Sequence, residues 1–385
     1  MTHIHFSVCG LGLGHASRCA PIIRESLRRG YGVSISTYGD AVEYFRRLGL
    51  SVNTVPAVDY GRGPMGEVSL KATLIKNIFL PLKVSLQTLI ESQLIEDADA
   101  DVVLSDTRVS AILASRILRI PNLLLLNQYK VVLEKDRWLG IASISEDFIN
   151  AFTIAWSLSD RLIIADYPPP LTISKENLQM REKDRRRAQL VGPIMEKQPH
   201  QYPSREKLKE ALGFDPSNQL ITIMPTGPAP DRARFIKLML PLLPALKQYQ
   251  VFMTGVNRAK VDFAVPRNVR LVEWVDDEYG LLASSDIVIT RAGHTLSAKA
   301  LAFGCRLVLT PIPRQTEQES NARSLAEKKA AVILKEKEVD AENLLQAIKN
   351  ASTEIDWGVI KKYQEFANMV NSVGVILEEL IRPPS

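Results

Sequence analysis

The stretch Ser285-Asp286-Ile287-Val288-Ile289-Thr290-Arg291-Ala292-Gly293-His294-Thr295 runs on into Leu296-Ser297-Ala298-Lys299-Ala300-Leu301-Ala302-Phe303-Gly304. A strand-length apolar run ends in a turn of small residues, and Thr295 opens a helix-forming segment that Gly304 stops. A second strand, Arg306–Thr310, follows, so the whole spells a strand–helix–strand unit. The free amides at the start of such a helix, with the Thr295 hydroxyl and the Arg291 guanidinium, suit a diphosphate. After Pro313 comes Arg314-Gln315-Thr316-Glu317-Gln318-Glu319-Ser320-Asn321, whose donors and acceptors are those that sugar hydroxyls demand. An ordinary strand–helix–strand unit with a polar loop is the other reading of the same residues.

The pattern extends in both directions. Leu220–Met224, Gln250–Met253, Val269–Leu271, Ile287–Thr290 and Leu307–Leu309 read as buried strands, separated by helices at Ser204–Leu212, Arg232–Lys247, Thr295–Phe303 and Asn321–Lys329. An earlier series has strands at Ile4–Val8, Gly32–Thr37, Val102–Leu104, Leu123–Leu126 and Leu162–Ile164. Its helices are Ala16–Arg29, Asp40–Leu48, Leu70–Ile95 and Ser110–Leu118. Alternation of this kind predicts an α/β fold with parallel sheets covered by helices on both faces. The series restarts after a polar stretch from Ser174 to Pro203, in which Arg181, Lys183, Arg185, Arg186 and Arg187 read as a solvated face or connector. Two Rossmann-like, doubly wound domains are therefore expected, 1–192 and 193–354, facing across a cleft. Ligands in such sheets bind beyond the carboxyl ends of the strands.

The first strand enters Gly10-Leu11-Gly12-Leu13-Gly14-His15-Ala16-Ser17-Arg18 directly. Gly10, Gly12 and Gly14 let backbone approach a ligand, and the helix start with Arg18 suits an acceptor or a phosphate. The spacing is not the full dinucleotide fingerprint, and the second strand ends in Ser36-Thr37-Tyr38-Gly39 with no acidic residue for a ribose. Asp40 reads instead as the N-cap of the next helix. A nicotinamide-dependent oxidoreductase is disfavoured on both counts. His15, where loop becomes helix, can take a proton from a hydroxyl, pair with phosphate as a cation, or cap and pack.

With 385 residues, 46% hydrophobic and 24% charged, the chain can build two ordinary cores. Cys9, Cys19 and Cys305 lack metal-ligand or disulfide spacing, which predicts a reducing cytoplasm. No run approaches the roughly 20 apolar residues of a membrane span, and the chain enters a strand at once, so no signal peptide is expected. The formal charge of +5 favours anionic partners without indicating nucleic acid. Asp97-Ala98-Asp99-Ala100-Asp101 imitates a metal-binding Asp-x-Asp, but it precedes a strand and reads as a connector. In 70–94, Leu74, Ile75, Ile78, Phe79, Leu80, Leu82 and Val84 are interleaved with Lys71, Lys76 and Lys83. That pattern fits either contact with an anionic membrane or a helix packed on the sheet with snorkelling lysines.

Residues 286–330 resemble the donor-binding region of GT-B glycosyltransferases, especially the MurG-type (family 28-type) group, and Gly10–Arg18 is similar to that group's N-terminal glycine loop. Matching material covers most of the chain, and it looks nearest to archaeal-type members carrying Gly-x-Gly-x-Gly-His-x-x-Arg. The resemblance implies that 1–192 is the acceptor side and 193–354 the donor side, with a C-terminal helix in 355–385 crossing back to the first domain. Arg291, Gly293, His294 and Thr295 would hold the donor diphosphate, approached also by Thr226 and Gly227. Glu317 and Gln318 would face the donor sugar, and Trp274 with Val275 would lie beside the base. His15 would be the catalytic base near the acceptor, and Asp106 would orient it or act as the base itself.

The implied reaction is inverting and metal-independent, moving a hexose or N-acetylhexosamine from a nucleoside diphosphate sugar, typically UDP-linked, to a lipid-linked or small-molecule acceptor. The implied place is the cytoplasm or the inner face of its membrane. A nucleotide-sugar epimerase of the same fold and a non-catalytic nucleotide-binding protein are the alternatives. The sequence departs from the family at Lys299, where a ribose-binding glutamate is usual. A carboxylate accepts from both ribose hydroxyls whereas an ammonium only donates. Either Lys299 contacts phosphate or the ribose is held by another residue.

Overall fold

The computed structural model describes residues 1–58, 79–130 and 153–382. Two compact units are present: Met1–Glu196 with Asn371–Ser385, and Lys197–Val370. The chain thus divides at 196/197 and 370/371, where the strand series and the resemblance lead one to expect 192/193 and 354/355.

In the first unit the elements run β1 His3–Val8, α1 Gly14–Arg28, β2 Gly32–Thr37, α2 Asp40–Arg47, β3 Asn53–Thr54, α3 Leu80–Asp97, β4 Val102–Asp106, α4 Val109–Leu118, β5 Asn122–Leu126, β6 Arg161–Ile164, α5 Glu182–Arg187 and β7 Ala188–Leu190. The seven strands are all parallel in the order β3-β2-β1-β4-β5-β6-β7. Strand order reverses between β1 and β4, and the register pairs Val8 with Asp106 at the carboxyl ends. A loop leaving β1 and a residue ending β4 are thereby brought together at the switch point. The β1 and β4 side chains Ile4, Phe6, Val8, Val102 and Leu104 join Ile22 and Ile23 of α1 in one core.

Gly10 is required by close approach. A Cβ there would lie 1.7 Å from the Tyr38 carbonyl oxygen, so no other residue fits between the ends of β1 and β2. Gly12 adopts φ 73° in the same loop. Asp40 is the first residue of α2 rather than its cap. The cap position is Gly39, and Asp40 adds an acidic group to the helix's first turn.

The second unit contains α6 Arg205–Ala211, β8 Leu220–Met224, α7 Ala229–Met239, β9 Gln250–Thr254, β10 Val269–Val272, α8 Glu278–Ser284, β11 Ile287–Thr290, α9 His294–Ala302, β12 Arg306–Leu309, α10 Thr316–Glu327, β13 Ala331–Ile333, α11 Ala341–Thr353 and α12 Trp357–Met369. Its parallel sheet runs β10-β9-β8-β11-β12-β13, with the reversal between β8 and β11. α10 begins at Thr316, five residues earlier than the periodicity indicates, so Glu317 and Gln318 lie in its first turn and not in a loop. The earlier end of the Arg232–Lys247 helix, at Met239, gives way to a 3-10 segment carrying Pro241 and Pro244.

The C-terminal segment divides. α12 stays in the second unit, where Gln364 rests against Gly304 at the end of α9. The last helix, α13 Ser372–Ile381, belongs to the first unit, burying Val373, Ile376, Leu377 and Leu380 in its core. Ser372 Oγ fastens it by donating to the Val191 and Pro193 carbonyls, at 2.6 and 2.9 Å. Only the second half of the segment expected to cross back does so.

Candidate functional site

In the first unit, α1 begins at Gly14, which places His15 in its first turn above the end of β4. His15 Nδ1 lies 2.8 Å from Asp106 Oδ1; the histidine side chain is 21% exposed, whereas Asp106 is fully buried. An imidazole anchored through Nδ1 on a buried carboxylate keeps its other nitrogen for a reacting group. Burial opposes the imidazolium, but Cys9 and Asp106 together raise the His15 pKa above the usual histidine range. Asp106 moves the other way. Burial alone would raise it, yet Arg18 and His15 hold the carboxyl well below the ordinary range.

Arg18 does not face outward with the glycine loop, as the sequence suggests. Its side chain is 2% exposed and spent on internal partners: Nε donates to Asp106 Oδ2 at 2.8 Å, Nη1 to Asn127 Oδ1 at 2.6 Å and Nη2 to Asp106 Oδ1 and Thr107 Oγ1. Cys19 Sγ also approaches Asp106 Oδ2, at 3.1 Å, and Cys9 Sγ approaches the Tyr38 hydroxyl, at 3.3 Å. The sequence reading misses Asn127, Cys9 and Cys19 as neighbours of this site. The strand-end position of Asn127 is the one signal that pointed there.

In the second unit the ends of β8 and β11 are in register, Met224 opposite Thr290. Thr290 Oγ1 donates to the Met224 carbonyl at 2.6 Å and lies 3.3 Å from Thr226 Oγ1. A Cβ on Gly293 would stand 3.9 Å from Thr226 Oγ1, and Gly227 takes φ 99° beside it. Thr226, Gly227 and Gly293 are thus brought together. α9 starts at His294 with Gly293 as its cap residue, without a side-chain cap or an acidic first turn. His294 is buried, while Gly293 and Thr295 remain partly exposed. The face presented is therefore the helix amides with the Thr226 and Thr295 hydroxyls, a combination that favours an anion.

Arg291 and Lys299 depart from the roles expected of them. Arg291 is fully buried, ion-paired with Glu336 and stacked over the Phe235 ring with its guanidinium carbon 4.8 Å from the centroid. Burial lowers its pKa against the pull of Glu336. Glu336 also pairs with Arg234. The guanidinium thus braces the turn from behind, because the chain directs it inward between β11 and the segment after β13. Lys299 is 1% exposed, donates to Glu278 Oε2 at 3.1 Å and lies over the Tyr279 ring, so its ammonium is turned inward.

Trp274 and Val275 follow β10, both half-buried; Val275 packs with Leu220, Phe252 and Leu281. Glu317 is half-buried in the first turn of α10. Gln318 is buried, with its side-chain carbonyl accepting from the Ile312 amide at 2.9 Å, which pins the preceding loop instead of leaving that oxygen for a sugar. Asn321, one turn on, ties α10 to the Ala292 carbonyl at 3.2 Å. Glu278 and Glu336 were missed: each acts through a pairing with a residue distant in sequence. Among the described residues no group of three or more histidine, cysteine or acidic side chains is placed to hold a metal, and no helix is long and apolar enough to cross a membrane. Residues 70–78 of the lysine-studded stretch lie outside the described residues.

Comparison with known proteins bears on both units. Residues 234–368 match the Glycosyltransferase family 28 C-terminal domain, and residues 2–139 match Glycosyl transferase family 1. An uncharacterized glycosyltransferase of Methanosarcina acetivorans is 27% identical over 83% of this chain and 82% of its own. The UDP-N-acetylglucosamine--N-acetylmuramyl-(pentapeptide) pyrophosphoryl-undecaprenol N-acetylglucosamine transferase of Halalkalibacterium halodurans is 30% identical over 38% of this chain and 42% of its own. In fold, the chain is similar to the crystal structure of Acinetobacter baumannii MurG, with a TM-score of 0.59, 17% identity and 99% of each chain covered. Two parallel-sheet units and these matches together make the chain a glycosyltransferase of the GT-B fold, whose second unit is similar to the family 28 C-terminal domain and whose relatives include MurG-like enzymes.

Proposed function

We propose that the chain transfers a hexose or N-acetylhexosamine from a nucleoside diphosphate sugar to an acceptor hydroxyl with inversion, His15 acting as base. The observation that carries this reading is the partly exposed His15 held through Nδ1 on the buried Asp106. As the acceptor oxygen attacks the anomeric carbon, His15 takes its proton and the bond to the nucleoside diphosphate breaks. Asp106 orients the imidazole and stabilises the cation that forms. The α9 amides with the Thr226 and Thr295 hydroxyls receive the diphosphate and its developing charge, so the step requires no metal. Glu317 faces the sugar, and Trp274 and Val275 flank the base.

Uridine is the base this reading favours, since the Halalkalibacterium relative is named for a UDP-linked donor. Glu278, fixed by Lys299, supplies the carboxylate for the ribose hydroxyls. A lipid-linked acceptor and peripheral contact with an anionic membrane, on the cytoplasmic side, are supported by α3, where Leu82 and Leu89 are each 68% exposed. Binding to liposomes that does not change with anionic lipid content would remove the membrane part.

The deciding experiment incubates the protein with UDP-, dTDP- and GDP-linked sugars, with and without a polyprenyl phosphate acceptor. Acceptor-dependent release of nucleoside diphosphate that is lost in His15→Ala supports transfer. Epimerised donor without acceptor identifies an epimerase, and binding without turnover identifies a nucleotide-binding protein.

A further inference from the structure

His15 needs Asp106 ionised, yet an ionised carboxylate buried beside an imidazole favours the imidazolium, which cannot accept a proton. Arg18 stands where this conflict is moderated. It lies three residues after His15 on α1, so both side chains descend on the same carboxylate. Its Nε and Nη2 grip the two Asp106 oxygens as a fork, and Nη2 also lies 3.1 Å from His15 Nδ1.

We propose that Arg18 is a positioning residue that fixes the Asp106 carboxylate and sets the pH range in which His15 works as a base. The proposal rests on the assignment of His15 as base. With Arg18 charged, the guanidinium offsets the pull of the carboxylate on a proton at His15. Without Arg18 that pull is unopposed, and more of the base is lost to its own partner.

The remaining groups around His15 do not replace this function. Cys9, from the loop after β1, raises the histidine pKa as Asp106 does, whereas Arg18 lowers it. Cys19, in the next turn of α1, is pushed up by burial and by Asp106, so it stays a neutral thiol. From the end of β2, Tyr38 meets Cys9 through its hydroxyl. Arg18 is therefore the cation that restrains the imidazolium. The same contacts explain why its donors are turned inward, away from any phosphate.

The test follows the His15 imidazole directly by NMR titration, tractable with five histidines in the chain, beside the pH dependence of UDP release from UDP-N-acetylglucosamine. Arg18→Gln should raise the His15 pKa by at least about one unit, which lowers the neutral fraction and kcat/KM near pH 7 by about tenfold. Arg18→Lys should hold the titration near its original position while lowering kcat, since a lysine keeps the charge and loses the fork. A His15 titration unmoved in Arg18→Gln overturns the proposal, whatever the activity. A shifted titration with an unmoved rate profile keeps Arg18's hold on His15 and overturns His15 as base. Should Arg18→Gln fail to fold, Asp106→Asn/Arg18→Gln must titrate above Asp106→Asn alone, and equal values overturn the proposal.

Discussion

Lys299 Nζ meets Glu278 Oε2 at 3.1 Å, joining α9 to the start of α8, with the ammonium buried and the carboxylate 28% exposed. The pair exchanges what each residue shows to solvent. The lysine at the position where the resemblance leads one to expect a carboxylate is hidden, and a carboxylate from another helix stands partly open beside it.

Donor recognition should therefore follow Glu278. Glu278→Ala is expected to weaken nucleoside diphosphate sugar binding by about tenfold, the loss of one charge-assisted hydrogen bond. Lys299→Glu should lower thermal stability, because two carboxylates then face each other, and adding Glu278→Lys should recover much of the loss. Calorimetric titration and thermal melts read both effects, and donor affinity unaffected by Glu278→Ala removes the carboxylate from the site.

The pH dependence of turnover should be an ascending limb, since His15 must be neutral to act and its pKa is raised. Asp106→Asn removes a group that favours the imidazolium, so the limb should move to lower pH while maximal kcat falls by about a hundredfold through lost orientation. His15→Ala should cost on the order of a hundredfold or more at every pH. A limb that moves upward in Asp106→Asn would contradict the sign.

Acid should destabilise the first unit through Glu91 of α3. This buried carboxylate accepts from His5 Nε2, Ser7 Oγ and Ser36 Oγ and pairs with Arg108 at 2.6 Å. Burial opposes its charge, but Arg108 and His5 bring its pKa down to about 2 from 4.5. A depressed carboxylate contributes stability above its unfolded pKa and loses it as pH falls through the folded value. The loss should therefore appear between about pH 4.5 and 2, and Glu91→Gln should remove that part of the acid dependence. Breaking the pair should also destabilise at neutral pH by about 3–5 kcal/mol, measurable by urea unfolding.

Arg291 and Thr295 should separate stability from binding. Arg291→Ala removes one of the two arginines paired with Glu336 and empties the space over Phe235, so unfolding should become easier by about 3 kcal/mol. Thr295→Val keeps the packing and removes one hydroxyl, with an expected effect of about 1 kcal/mol on nucleotide affinity and little on melting. If Arg291→Ala melts normally and loses only the nucleotide, the guanidinium reaches the phosphate after all.

The strands were legible because fully buried parallel strands are continuous apolar runs, as Leu123–Leu126 and Ile287–Thr290 are. The two glycine turns were legible because close backbone approach selects residue type locally, as at Gly10. What escaped was set by partners far along the chain. Arg18, Arg291 and Lys299 looked like phosphate ligands because their types and positions suit one. Each is neutralised by a carboxylate 88, 45 or 21 residues away, and no local pattern announces such a pairing. The domain crossing was misplaced for a related reason: only Val370 and Asn371 separate α12 from α13, and no local pattern says which unit each helix packs on.

The fastening of α13 by Ser372 to Val191 and Pro193 has a consequence for synthesis. The helix that completes the first unit's core is made only after the whole of Lys197–Val370 has emerged. Until then the nascent first unit lacks the cover that Val373, Ile376, Leu377 and Leu380 provide, and it carries an open apolar face. The second unit, contiguous in sequence, can finish folding first, so the order of completion is the reverse of the order of translation.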